Sequence, residues 1–137
     1  ISVGSNDLTQ YLLAVDRNNS RVADLYSSLH PSVLIALKQI VEQASLSDTP
    51  VSVCGEVAGD PLGAILLMGM GYKQLSMNAA SLLKIKAVLR EVPFDFAEQL
   101  VEQVIKLETA DMVRSTIELA IKKEGFDLTH LGIRQNA

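Results

Sequence analysis

The sequence predicts an α/β fold in which about three parallel strands alternate with helices and are followed by helices alone. Three observations carry that reading. Short runs rich in β-branched and apolar residues end on Gly, Cys-Gly or Asn at positions 1–3, 51–53 and 75–77. Segments with apolar residues at three- and four-residue spacing lie between them, and after Pro93 that helical spacing continues with no further strand. The order strand, helix, strand, helix, strand, helix is that of parallel βα units.

Taken in order, I-S-V at 1–3 reads as the tail of a strand and G-S-N-D at 4–7 as the loop that terminates it. Residues 8–15 then read as a short helix, and the polar D-R-N-N-S at 16–20 as another loop. Pro31 suits a first helical position, where a missing N–H costs nothing. Val33, Leu34, Leu37, Ile40, Val41 and Ala44 recur on one face of the helix it opens. A linker at 45–50 leads to the second strand at 51–53, which delivers Cys54 onto a Gly-rich turn. Asp60-Pro61 leads into a mostly apolar helix over 64–70, with Gly71 as its terminator. The third strand, 75–77, runs into Asn78. Ser81 is then a candidate cap for a helix that turns Leu82, Ile85, Val88 and Leu89 inward and Lys84, Lys86 and Arg90 to water. Beyond Pro93, Phe96, Leu100, Val101 and Val104 form one stripe. Thr109 is placed to cap a last helix carrying Val113, Ile117, Ala120 and Ile121, which Gly125 ends. Residues 127–137 carry no periodicity and read as a partly disordered tail.

Composition narrows the function classes. The 137 residues are 48% hydrophobic, enough for one modest core. Twelve Lys and Arg oppose sixteen Asp and Glu without a long basic block, so no nucleic-acid partner is expected. A single cysteine rules out an intrachain disulfide. No apolar run approaches the roughly 20 residues that span a bilayer, so no membrane partner is expected either. The chain opens on a strand-like run with neither an initiator Met nor a leader-like segment, which reads as a piece of a longer protein.

Parallel strands gather their carboxyl ends at one edge, so residues 4–7, 54–56 and 78 should converge on one rim. Asn6 and Asp7 offer an amide, a carboxylate and turn N–H groups that suit a phosphate or a hard cation. They serve as well for a simple turn with an Asx cap. Arg17 supplies a planar five-donor fork for phosphate or carboxylate, or is a surface arginine of a polar loop. Cys54 is a thiol at a strand end, or a small buried hydrophobe. One carboxylate does not hold Mg²⁺ alone, so Asp7 needs phosphate oxygens, water or a further acidic ligand. Other motifs are weaker: His30 and His130 lack companions at zinc-ligand spacing, and Gly69-Met70-Gly71 lacks the spacing of a nucleotide fingerprint. Met68, Met70 and Met77 read as core fillers.

Three ordered stretches carry a resemblance: G-S-N-D-L-T-Q-Y-L-L-A-V-D-R at 4–17, V-C-G-E-V-A-G-D-P at 53–61 and L-L-M-G-M-G-Y-K-Q-L-S-M-N at 66–78. Together they resemble the phosphoenolpyruvate-binding domain of phosphoenolpyruvate-protein phosphotransferases, enzyme I of the bacterial sugar phosphotransferase system and its nitrogen-related relatives. The wording S-M-N leans toward the nitrogen branch. The resemblance implies the C-terminal portion of a (β/α)8 barrel, with βα units at 1–92, terminal helices at 93–126 and a tail at 127–137. It implies Mg²⁺ as cofactor, with Asp7 a magnesium ligand, Asn6 a contact to the substrate phosphate, Arg17 a grip on phosphoenolpyruvate, and Cys54 the proton donor to the enolate carbon. The implied partners are phosphoenolpyruvate, pyruvate, a histidine-containing phosphocarrier protein and a second copy of the parent, in the cytoplasm. Further arginines, a lysine, a second acidic ligand and the phosphorylated histidine of the family are missing here, so this chain alone is expected to be inactive. Pyruvate phosphate dikinase or phosphoenolpyruvate synthase is an alternative enzyme of the same type. A non-catalytic dimerisation or phosphoenolpyruvate-sensing module is the alternative outside catalysis.

Overall fold

The structure, a computed structural model, describes residues 1–126. Its sheet has three strands, β1 (Ser2–Gly4), β2 (Ser52–Cys54) and β3 (Gln74–Ser76), all parallel and adjacent in chain order. Ser2, Ser52 and Gln74 are in register, as are Val3, Val53 and Leu75, and Gly4, Cys54 and Ser76. Side chains alternate along a strand. Val3, Val53 and Leu75 therefore share the face that joins the core, while Ser2, Ser52, Cys54, Gln74 and Ser76 share the other, all exposed or half-buried. Between the strands run α1 (Ser5–Leu13), α2 (Pro31–Leu46), the single turn α3 (Glu56–Gly59) and α4 (Pro61–Met70). After β3 come α5 (Ala79–Glu91), α6 (Phe94–Val104) and α7 (Ala110–Lys123). The α/β class with three parallel strands and terminal helices is thus observed. No helix among the described residues is long and apolar enough to cross a membrane.

The core forms around α4. Pro61 opens it and Gly71, at φ 99, closes it in the left-handed region. Every residue of this helix except Met68 is buried, because it packs against α2, α3, α5 and, most closely, α6. The α4–α6 approach leaves no room for a side chain at Gly69: a Cβ there would lie 2.4 Å from the Ala97 carbonyl oxygen. Ile65, Leu66 and Leu67 meet Leu100, Val101 and Val104 in one cluster with Val113, Ile117 and Ile121 of α7. Burying one such side chain fully is worth about 1.5–3 kcal/mol. Beyond the helix, Tyr72 is buried and its hydroxyl donates to the Leu37 carbonyl at 2.7 Å, fastening the approach to β3 onto α2.

Helix ends follow the expected chemistry with one exchange. Thr109 caps α7, its Oγ1 accepting the Met112 N–H at 3.1 Å, and Gly125 follows that helix at φ 77. His30 caps α2 through Nδ1, which accepts the Ser32 N–H at 3.1 Å. The cap of α5, however, is Asn78 and not Ser81: Asn78 Oδ1 accepts the Ser81 N–H at 2.9 Å. Either residue type caps well, and the helix starts one turn earlier because β3 ends at Ser76. Leu82 also departs from the expected inward stripe. It lies with Ala79, Ala80 and Leu83 in an exposed first turn, and the buried stripe begins at Ile85 and Val88. The helix after β1 starts at Ser5, not at 8, so Asn6 and Asp7 belong to its first turn and not to a loop before it. The tail at 127–137 lies outside the described residues.

Burial pushes the Tyr72 hydroxyl up to about 12 from its ordinary 10. The folded state therefore keeps a proton that the unfolded chain gives up near pH 10, so the contribution of Tyr72 is complete below pH 10 and fades as pH rises toward 12. We expect unfolding stability to fall by roughly 2–3 kcal/mol over that interval. Tyr72→Phe should cost about 1 kcal/mol at neutral pH and flatten this decline. Urea titrations at pH 8, 10 and 11.5 check both outcomes, and an equally steep decline in the variant would reject the assignment.

Candidate functional site

Because Gly4, Cys54 and Ser76 are register partners, the chain leaves all three strands at one edge of the sheet. At β1 it turns directly into α1. Gly4 occupies the cap position and no side chain caps the helix. The buried Ser5 hydroxyl is used elsewhere: it donates to the Cys54 carbonyl at 2.7 Å and so ties the start of α1 to the end of β2. Thr9, also buried, donates to the Ser5 carbonyl one turn on. Asn6 makes the second tie, with Oδ1 accepting the Glu56 N–H at 2.9 Å.

Gly55 makes both ties possible. Its φ of 111 lies in the region that disfavours side chains, and a Cβ there would sit 2.4 Å from Ser5 Oγ and 2.8 Å from Asn6 Oδ1. The strand-end glycine is thus required by conformation and by space. Just before it, the half-buried Cys54 thiol donates to the Val3 carbonyl at 3.5 Å.

A charged cluster stands over this junction. Arg17 Nη1 lies 3.8 Å from Glu56 Oε1. The Tyr26 hydroxyl donates to the Asn6 carbonyl at 3.3 Å, and its acidity is weakened first by burial and then by the nearby Glu56 charge. Asp7, in the first turn of α1, is exposed and makes no side-chain hydrogen bond or ion pair among the described residues. Its charge favours that end of the helix dipole. A concavity of about 370 Å³ opens beside the junction, between Asn6, Glu56, Asp60, Met77, Asn78 and Ser81. Met77, expected as a core filler, is half-buried at its wall.

The structure therefore brings Asn6, Arg17 and Cys54 to one edge around Glu56 and Gly55, with Asn78 across the concavity from Asn6. Asp7 sits one residue beyond Asn6 and, like Arg17 and Cys54, does not line the concavity. A larger cavity, about 430 Å³, opens at the opposite ends of the strands between Val41, Asp48, Pro50 and Lys73, and no candidate residue reaches it. Among the described residues no group of three or more His, Cys, Asp or Glu is placed to hold a metal ion. Ser5, Tyr26 and Glu56 were not singled out by the sequence. Ser5 and Glu56 lie inside the G-S-N-D and C-G-E stretches, which is the signal that could have found them, and Tyr26 carries no comparable signal.

Residues 1–94 match the family described as PEP-utilising enzyme, PEP-binding domain. The chain belongs to that family. Among curated relatives it is 45% identical over 125 residues to the phosphoenolpyruvate-dependent phosphotransferase system protein of Salmonella typhimurium, covering 91% of this chain and 17% of the relative. It is 44% identical over 124 residues to a multiphosphoryl transfer protein of Xanthomonas campestris, covering 90% of this chain and 14% of that one. The phosphoenolpyruvate-protein phosphotransferase of Haemophilus influenzae is 42% identical over 117 residues, covering 85% of this chain and 20% of that protein. The chain spans a minor part of the length of each. Homology to phosphoenolpyruvate-protein phosphotransferases thus extends over most of this chain.

Gly55→Ala should cost about 1–3 kcal/mol from backbone strain, with further loss as Ser5 and Asn6 are displaced. Gly125, at φ 77 with nothing within 4 Å of a built Cβ, is the control for strain without crowding. We expect Gly125→Ala to be clearly milder in urea unfolding. Equal losses at the two positions would mean that the Ser5 and Asn6 contacts do not depend on Gly55.

Proposed function

We propose that this chain is the last part of a phosphoenolpyruvate-binding (β/α)8 barrel. In the intact protein its strand-end rim takes part in Mg²⁺-dependent transfer of the phosphoryl group of phosphoenolpyruvate to a histidine and on to a histidine-containing phosphocarrier protein, releasing pyruvate. The observation that carries the reading is the junction at Gly55, where Cys54 ends one parallel strand, the Asn6 amide binds the Glu56 N–H and the Arg17 guanidinium stands beside the Glu56 carboxylate. The names of the relatives supply the reaction class, and the setting is the cytoplasm with a second copy of the intact protein as partner. The sheet face of Ser2, Ser52, Cys54, Gln74 and Ser76 is exposed or half-buried among the described residues, which leaves it available to the inside of a closed sheet.

Each residue has a physical task. Asn6 Oδ1 accepts the Glu56 N–H, which leaves both amide hydrogens for a phosphate oxygen. Arg17 supplies a guanidinium for the phosphoryl or carboxylate group. Asp7 is exposed and has no side-chain partner among the described residues, so it fits one ligand position for Mg²⁺, and the remaining ligands come from outside those residues. When bound, the cation offsets charge on the phosphoryl oxygens. Loss of the phosphoryl group leaves an enolate whose methylene carbon needs a proton. Cys54 supplies its S–H proton there, yielding pyruvate and a thiolate that regains a proton from water.

In the intact protein Cys54→Ala should lower the maximal rate of pyruvate formation by roughly 10²- to 10⁴-fold while phosphoenolpyruvate affinity stays near normal, because no charged contact is lost. Asp7→Asn should instead weaken the Mg²⁺-dependent phosphorylation of the histidine. Single-turnover phosphotransfer and affinity measured on each variant separate the two roles. A folded Cys54→Ala protein with near-normal turnover removes Cys54 from the reaction.

The isolated 137-residue chain should show no phosphotransfer, since a complete anion cradle needs more than one carboxylate and one arginine. Calorimetry with Mg²⁺ and phosphoenolpyruvate tests this directly. Micromolar or tighter binding would mean that the part-site is already preorganised.

A further inference from the structure

Glu56 is not accounted for by the reading above. It is exposed, and its backbone is fixed by the N–H donated to Asn6 Oδ1, so its carboxylate projects from a rigid point on the rim. Its oxygen stands 3.8 Å from Arg17 Nη1. That is beyond hydrogen-bond length, so the contact is electrostatic and easily exchanged. It is also the ion pair that Arg17 makes among the described residues. Tyr26, which responds to both charges, donates to the Asn6 carbonyl, so amide, guanidinium and carboxylate are held within one cluster.

We infer that Glu56 is a placeholder for the substrate anion: its carboxylate holds Arg17 at the rim until phosphoenolpyruvate takes the guanidinium from it. The inference rests on the proposed binding role of Arg17. A carboxylate and a phosphate compete for the same planar fork, and phosphate is the more highly charged. Glu56 thereby raises the threshold for weakly charged anions, which do not displace it, and keeps the fork aimed before substrate arrives. It is a positioning residue and takes no proton in the reaction.

The competition has a measurable sign. In the intact protein with Mg²⁺, Glu56→Gln should tighten phosphoenolpyruvate binding about two- to five-fold at low ionic strength, the range expected for losing one exposed ion pair. The gain should shrink in 0.5 M salt, about a 4 Å screening length. Inorganic phosphate, which takes the same fork, should gain by a similar factor. A residue that only supports the fold would not tighten binding. In an Arg17→Ala background the Glu56→Gln effect should disappear, because the fork it competes for is gone. Unchanged or weaker binding by Glu56→Gln, with Arg17→Ala itself clearly impaired, overturns the placeholder and leaves the functional reading standing. If Arg17→Ala binds phosphoenolpyruvate normally, the role of Arg17 falls and the placeholder falls with it.

Discussion

The site depends on how closely two strand ends approach. The Ser5 hydroxyl on the Cys54 carbonyl and the Asn6 amide on the Glu56 N–H are both made across a gap that admits no Cβ at Gly55. Neither tie is local in sequence. Each instead uses the parallel register of β1 and β2, in which Gly4 faces Cys54. A single residue of slip between these strands would move the thiol to the other face of the sheet. The position of the thiol and the hydrogen-bonding state of the amide are therefore set by the same pairing.

Val3 and Val53 of these strands join a core built around an apolar helix. Since α4 is buried on nearly all sides, it behaves as a core element and not as an amphipathic surface helix. Its glycines are there for packing: Gly69 lets α6 close on it, and a Cβ at Gly63 would meet the Val57 carbonyl at 2.3 Å. Val57 and Ala58 of α3 are buried against this layer, so the turn that carries Glu56 rests on a fixed surface. The rim can hold polar groups in place because the layer beneath it is close-packed.

Much of this was legible in the residues. Pro61 with Gly71, and Thr109 with Gly125, bracket their helices because the chemistry of helix ends is local. The strands were legible to within a residue, since β-branched runs ending on Gly or Asn leave few alternatives. What escaped was non-local or degenerate. Ser5 is the first residue of a helix whose cap position is Gly4, and its hydroxyl donates to the Cys54 carbonyl on β2, a fact that spacing along the chain does not contain. Asn78 and Ser81 are both good caps three residues apart, and only the end of β3 at Ser76 decides between them. Leu82 has the correct spacing to face inward, but nothing among the described residues covers its turn. The Arg17–Glu56 pair joins two stretches that were each visible in the sequence, while their contact was not.

The pair between Arg114 and Asp60, at 3.6 Å, links α7 to the residue that precedes α4 and borders the concavity. The match to the family model ends at residue 94, whereas the cation that meets Asp60 stands at 114. The family model and the structural support of the rim therefore have different borders. A polypeptide trimmed to the matched segment would keep every candidate residue yet lose the helices that cover α4 and steady the Asp60 corner. During synthesis, likewise, the rim residues emerge from the ribosome well before the helices that complete their foundation. The helices beyond the matched segment thus bear on the rim through its Asp60 corner.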